Sequence, residues 1–291
     1  MKFGTLYSYW SKNWDCDYEN YAKLIEKLST LGFDILEVSA DHVYRMARQD
    51  LKKLNELGKQ HNMIFTTNSG PAKEFDLAST DAAVRKNGIQ YFNDVMERMI
   101  DLGSTSLAGA IYSYWPCDFS DTDKEGAWTR SIESMKAVGK IAEKLGITIS
   151  LEVLNRNESF ILNTCEEALA YCKRVGSPAV KILLDTYHMN IEEDDSLAAI
   201  RAAGPLLGHL HVGENNRKLP GMNNSIDWKA LGGALRDIDY HGNVVMEPFL
   251  VTGGSVGNSI RVWRDLSSGA NESTMDRYIS ESLRFLKATF A

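Results

Sequence analysis

Four ionisable residues close four successive apolar runs in this sequence, and together they have the makings of a metal site. The runs are Ile149-Ser150-Leu151-Glu152-Val153, Leu183-Leu184-Asp185, His209-Leu210-His211 and Val245-Met246-Glu247. Side chains alternate faces along a strand, so Leu183 shares a face with Asp185, His209 with His211, and Val245 with Glu247. If the runs are neighbouring strands and those faces point inward, Glu152, Asp185, His211 and Glu247 converge on one point. Three carboxylates crowded into a low-dielectric space repel one another and raise each other's pKa unless a cation lies between them. Three oxygen donors and one imidazole suit Mn²⁺, Co²⁺ or Mg²⁺ better than a thiolate-seeking ion. Taken singly, each could be a buried polar residue satisfied by its neighbours, as Ser150 and His209 beside them could be. Four at equivalent positions on consecutive strands favour the metal.

The elements that must position them are legible as alternation. Short β-rich runs at 3–7, 35–39, 63–67, 106–111, 148–154, 180–185, 208–212 and 243–247 alternate with amphipathic stretches at 18–31, 51–61, 81–102, 126–145, 164–175, 195–203, 227–238 and 274–290. Leu31-Gly32 and Leu145-Gly146 read as helix ends with a glycine just beyond, and Ser79-Thr80-Asp81 as a helix start. Repeated βα units call for a parallel sheet, and eight of them close a (β/α)8 TIM barrel in an α/β chain. A doubly wound sheet would want a glycine-rich phosphate loop after its first strand, and the sequence has neither GxGxxG nor GK[ST]. With 291 residues, no low-complexity segment and no evident linker, residues 1–291 are expected to form a single TIM-barrel domain. In such barrels the strand C-termini carry the chemistry, which is where the four ionisable residues fall.

Bulk properties narrow the function classes. The formal net charge is -7, with no stretch of Lys and Arg long enough to neutralise phosphates, so nucleic acid is not an expected partner. Six histidines and this acidic balance also disfavour a metal-barrel DNA-repair endonuclease. No apolar run reaches membrane-spanning length and the first residues lack a secretory pattern, so a cytoplasmic protein without membrane contact is expected. Cys16, Cys117, Cys165 and Cys172 form no CxxC pair, which suits reduced thiols, and Cys165 and Cys172 read as packing residues on a helix.

The blocks around these positions extend the reading. Leu151-Glu152-Val153-Leu154-Asn155-Arg156, Leu184-Asp185-Thr186-Tyr187-His188-Met189-Asn190, Gly208-His209-Leu210-His211-Val212-Gly213-Glu214, Val245-Met246-Glu247-Pro248-Phe249 and Val262-Trp263-Arg264-Asp265 resemble the ketose 3-epimerases, the family of D-tagatose and D-psicose (D-allulose) 3-epimerases. The resemblance runs nearly the whole length. It implies a xylose-isomerase-like barrel that epimerises free ketoses of the D-fructose/D-psicose, D-tagatose/D-sorbose or L-ribulose type, binds Mn²⁺ or Co²⁺, and assembles as a homodimer or homotetramer. It also implies that Glu152, Asp185, His211 and Glu247 hold the metal and that Glu158, His188 and Arg217 contact the sugar, with Trp115 in an aromatic wall.

Epimerisation at C3 needs a proton removed beside the C2 carbonyl and one returned to the opposite face, through a cis-enediolate. Glu152 and Glu247, on the fifth and eighth strands, suit that acid/base pair. His188 could instead cap a helix, and Arg217 or Glu158 could be solvated loop residues; the resemblance favours the sugar. Tyr7, Trp10, Trp14 and Trp115 follow strands one and four and could line the cavity or pack as core or subunit interface. The family often has Tyr at Leu6 and Gly at Asn68, near the far part of the sugar, and a shorter loop than 220–225, so Leu6 bears on which ketose is preferred. Two rivals remain: an aldose-ketose or hydroxypyruvate isomerase on the same barrel, and a sugar-binding module with no use for both glutamates.

Overall fold

The computed structural model describes residues 1–120 and 122–291. Its strands are β1 Lys2–Leu6, β2 Ile35–Ser39, β3 Ile64–Ser69, β4 Ser106–Gly109, β5 Thr148–Glu152, β6 Val180–Asp185, β7 Leu207–Val212 and β8 Asn243–Met246. They pair in chain order as a closed barrel, every pairing parallel, with β1 joined to β8. The helices are α1 Tyr18–Leu31, α2 Ala40–Arg45, α3 Arg48–Gln60, α4 Ala82–Leu102, α5 Lys124–Leu145, α6 Cys165–Val175, α7 Thr186–Glu192, α8 Ser196–Ala203, α9 Trp228–Asp237, α10 Gly254–Ile260 and α11 Glu272–Phe290. None among the described residues is long and apolar enough to cross a membrane.

The long helices form where they can bury one stripe and cap their ends. Tyr21, Ile25 and Leu28 of α1 recur at helical spacing and are buried, while Asp17 accepts the Asn20 amide at its N-terminus and Gly32 closes it in the left-handed conformation. Asp81, Asp123, Thr164, Asp195, Asp227 and Asn271 cap later helices in the same way. Cys165 and Cys172 are buried on α6, and the four cysteines are free.

Three short helices, α2, α7 and α10, were not expected; each lies just beyond a strand on the side where the cavity opens. Separately, β4 and β8 end sooner than their apolar runs suggest. β4 stops at Gly109 rather than at residue 111 because Gly109 has φ +113° and a Cβ there would lie 2.3 Å from the Ser69 carbonyl. β8 stops at Met246: Glu247 still donates its amide to the Val212 carbonyl at 3.1 Å, but Pro248 has no N–H with which to continue the ladder. Glu247 therefore stands at the rim, its side chain freed from the sheet.

The close approach at Gly109 predicts that Gly109→Ala destabilises the protein by about 1–3 kcal/mol, from a positive φ and a forced backbone shift. A lowered urea midpoint with unchanged slope is the expected readout; an unchanged midpoint would contradict this account of where β4 ends.

Candidate active site

A cavity of about 420 Å³ opens at the C-terminal ends of the strands, with Leu6, Ser39, Ser69, Glu152 and Glu247 in its lining. Glu158, His188, Arg217 and Trp115 line it too. Asp185 and His211 lie behind this surface, 1% and 0% exposed. Of the aromatic residues expected in its wall, Tyr7 and Trp14 join Trp115 there. Trp10 does not: its indole N–H is held by Asp276 on α11 at 2.7 Å, so it packs between the β1 loop and the last helix.

Each ionisable group is aimed by its own strand end. Asp185 is the last residue of β6 and caps α7, one oxygen accepting the Tyr187 amide at 2.7 Å. Its Oδ2 is then left buried without a hydrogen-bond partner, directed into the site. β6 and β7 pair Asp185 with His211, and β7 and β8 pair His211 with Val245, which sets the imidazole beside Glu247 two residues on. Ligand-type atoms of Glu152, Asp185, His188 and Glu247 all lie within 4.8 Å of one another. His211 Nδ1 is 3.5 Å from Glu152 Oε1 and 3.6 Å from Glu247 Oε1, and it too is buried without a hydrogen-bond partner.

Two histidines thus face the same carboxylates, and their hydrogen bonds give them opposite roles. His188 Nδ1 accepts the backbone N–H of Asn155 at 3.1 Å, with the Asn155 side-chain amide at 2.7 Å. Burial pushes its pKa down to about 3, so the ring is neutral and its single proton is on Nε2, 3.7 Å from Glu152 and 3.8 Å from Asp185. An N–H there is a donor and cannot ligate a cation. In His211 it is Nε2 that is engaged, 2.8 Å from Oε1 of Glu37. A carboxylate can only accept, so Nε2 carries a proton, and Nδ1, facing Glu152 and Glu247, is the nitrogen that can give up its own proton and ligate.

Arg217 draws the rim together. Its φ is +64°, held by its amide donating to the Glu214 carbonyl at 3.0 Å and its carbonyl accepting from Phe249 at 2.8 Å. The guanidinium lies 3.7 Å over the Tyr187 ring, bonds Glu247 Oε2 at 2.9 Å, and reaches Asp185 at 3.5 Å and Glu158 at 3.3 Å. Glu158 also accepts from the Trp115 indole at 3.1 Å. Glu214, fully buried, gathers the amides of Gly221 and Ser225, the Ser225 hydroxyl and the Trp228 indole, mooring the loop that carries Arg217.

The electrostatics favour positive charge among these groups. Burial raises the pKa of Glu152, Asp185 and Glu247 despite the nearby cationic groups. His211 is pushed the other way from burial: desolvation would lower it, but Glu247 and Glu37 outweigh that and raise it well above its ordinary value. Protons are held where a cation would sit. With two orphaned buried atoms, Asp185 Oδ2 and His211 Nδ1, and an oxygen-rich donor set, the residues fit a divalent metal.

Sequence reasoning gave no role to Glu37, Asn155, Tyr187 and Phe249, whereas His209, read as a possible buried polar residue, is 0% exposed. Glu37 had a signal: a charge in the middle of Ile35-Leu36-Glu37-Val38, every residue of which is buried. Asn68, expected to face the sugar, lines the cavity but also reaches Glu37 with its amide at 3.4 Å.

A closed parallel barrel with acidic and imidazole groups gathered at its C-terminal mouth defines a metal-type (β/α)8 barrel. Residues 25–288 match the family model of the xylose isomerase-like TIM barrel. The chain is 46% identical over 286 residues to a D-psicose 3-epimerase of Ruminiclostridium cellulolyticum, covering 98% of this chain and 96% of that one. It is 45% identical to the D-psicose 3-epimerase of Agrobacterium fabrum, over 98% of each. A crystal structure of D-psicose 3-epimerase with D-tagatose from Clostridium cellulolyticum H10 superposes with a TM-score of 0.97 at 44% identity, over 100% of this chain and 99% of that one. The chain belongs to the ketose 3-epimerases, an isomerase family on the xylose isomerase-like barrel.

The raised carboxylates give a pH prediction with a definite sign. Groups whose folded pKa is raised favour the metal-free fold at low pH, and that contribution is lost as pH rises through the raised values. A cation competes with those protons, so the rise in Tm on adding Mn²⁺ or Co²⁺ is expected to be small near pH 5 and to grow towards pH 8. Thermal scans of metal-stripped protein across that range check it; a pH-independent gain would contradict it.

Proposed function

We propose that residues 1–291 act as one catalytic unit that epimerises free ketoses at C3, with Glu152 and Glu247 as the acid/base pair. The observation that carries this is the placement of a buried glutamate on β5 and a partly buried one just beyond β8, both directed at His211 Nδ1. Supporting it is full-length similarity to enzymes named D-psicose 3-epimerase. That similarity favours the D-fructose/D-psicose pair, with D-tagatose and L-ribulose as further candidates.

Glu152, Asp185, His211 and Glu247 would hold the metal, Mn²⁺ or Co²⁺, with Mg²⁺ also suited to the oxygen-rich donors. Bound there, a divalent ion supplies Lewis acidity that favours negative charge on the sugar oxygens next to the reacting carbon. One glutamate takes the C3 proton and the other returns a proton to the opposite face; their roles exchange with the epimer supplied. Arg217, bonded to Glu247 and Glu158, fixes the orientation of both carboxylates at the cavity. His188, neutral with its proton on Nε2, donates to a sugar oxygen. Glu158 and Trp115 form one polar and one flat side of the cavity, and Leu6 an apolar contact towards the far carbons. Assembly as a homodimer or homotetramer goes with the family reading, and light scattering of purified protein distinguishes the two.

Proton transfer by a positioned carboxylate contributes about 10²–10⁴-fold, so Glu152→Gln and Glu247→Gln are each expected to lose that much activity while keeping the fold. Incubation with D-fructose, D-psicose, D-tagatose and L-ribulose in D2O with Mn²⁺, followed by NMR, should put deuterium at C3 with wild type and with neither variant. Deuterium at C1 instead would establish the aldose-ketose isomerase reading, and binding without exchange the non-catalytic one.

A further inference from the structure

Beneath the cavity floor lies a second buried group, Glu37 on β2 with His209 and His211 on β7, of which the proposed reaction uses only His211. All three are 0% exposed. We propose that Glu37 is a positioning residue that commits His211 to presenting Nδ1, rather than Nε2, to the cation. This rests on the reading that His211 belongs to the metal's donor set.

The argument is geometric. An imidazole has two nitrogens, and the one that carries the hydrogen cannot ligate; which one does is set by what the other nitrogen meets. Glu37 Oε1 is 2.8 Å from His211 Nε2 and takes that proton's hydrogen bond. The carboxylate is itself held: Thr66, its register partner on β3, donates its hydroxyl to Oε2 at 2.6 Å, and the Asn68 amide reaches Oε1 at 3.4 Å. It is thus immobilised from β3 and directed at β7. A carboxylate inside a barrel is costly unless its lone pairs are used, and a leucine would fill the same layer without that cost.

Neutralising His209 is the competing explanation, and the hydrogen-bond geometry favours His211 over it. Although His209 Nε2 lies 3.1 Å from Glu37 Oε2, neither His209 nitrogen is in line for a hydrogen bond. A second cation between Glu37, His209 and His211 is disfavoured for a related reason, since His211 Nε2 is already occupied by its bond to the carboxylate. A charged acceptor on the remote nitrogen also makes Nδ1 a stronger donor, which links β2 to a metal site built from β5 to β8.

The test is calorimetric titration of Co²⁺ into metal-stripped full-length protein, with the visible spectrum of bound Co²⁺ as an independent readout of its donors. Wild type should bind one Co²⁺ per site and Asp185→Asn should bind it far more weakly; failure of either sinks the underlying metal reading. Given that binding, loss of this kind of support typically costs 10–100-fold in metal affinity. Glu37→Gln retains an acceptor but not the charge, and is expected to bind about 10-fold more weakly, Glu37→Leu nearer 100-fold, with an altered Co²⁺ spectrum. Deuterium exchange at C3 should recover in both when Co²⁺ is raised to saturation, which a general loss of structure would not allow. If Glu37→Leu does not fold, Glu37→Gln decides alone. Wild-type affinity and an unchanged spectrum in Glu37→Gln overturn the assignment.

Discussion

Negative charge packed into a space that water barely reaches is the constraint around which this barrel is organised. Glu152, Asp185 and Glu247 meet with ligand-type atoms within 4.8 Å, and Glu37 lies one layer deeper. Such a cluster persists only if positive charge is brought to it. Arg217 supplies one fixed charge from the rim and the His211 imidazole can carry another, yet Asp185 Oδ2 and His211 Nδ1 are still left without hydrogen-bond partners. A divalent cation would satisfy both atoms at once, and in the proposed mechanism the same negative surroundings would keep Glu152 and Glu247 beside a substrate carbon.

The barrel turns this electrostatic demand into orientation. Asp185 spends one oxygen on the first turn of α7 and so points the other inward. The Asn155 amide and the Glu37 carboxylate act on two imidazoles that share one hole, one accepting and one donating, so that His188 offers a proton and His211 a lone pair. The strand ends that allow this are the irregular ones: Gly109 halts β4, Pro248 halts β8, and Arg217 takes a positive φ between two main-chain hydrogen bonds.

Much of this was legible in residue order. The alternation of apolar runs and amphipathic stretches located eight strands and the long helices because each must bury one face, and β2 and β6 match the expected bounds at 35–39 and 180–185. The four ionisable strand ends were visible as charges in apolar runs. Less legible were α2, α7 and α10, whose six or seven residues are too few to show a period. Trp10 could not be told from Trp14 by position, since only the packing of α11 assigns it to Asp276. Glu37 belongs to an early strand and was passed over because the partner that explains it, His211, lies 174 residues away in the chain. Contacts of that separation exist only once the barrel has closed.

Anomalous diffraction from crystals of Co²⁺-loaded protein addresses the central claim most directly. The account predicts one strong peak bonded to carboxylate oxygens of Glu152, Asp185 and Glu247 and to His211 Nδ1, with His188 Nε2 outside bonding distance and Glu37 still on His211 Nε2. A peak bonded to His188, a peak between Glu37 and His209, or no peak at the cavity floor would contradict it.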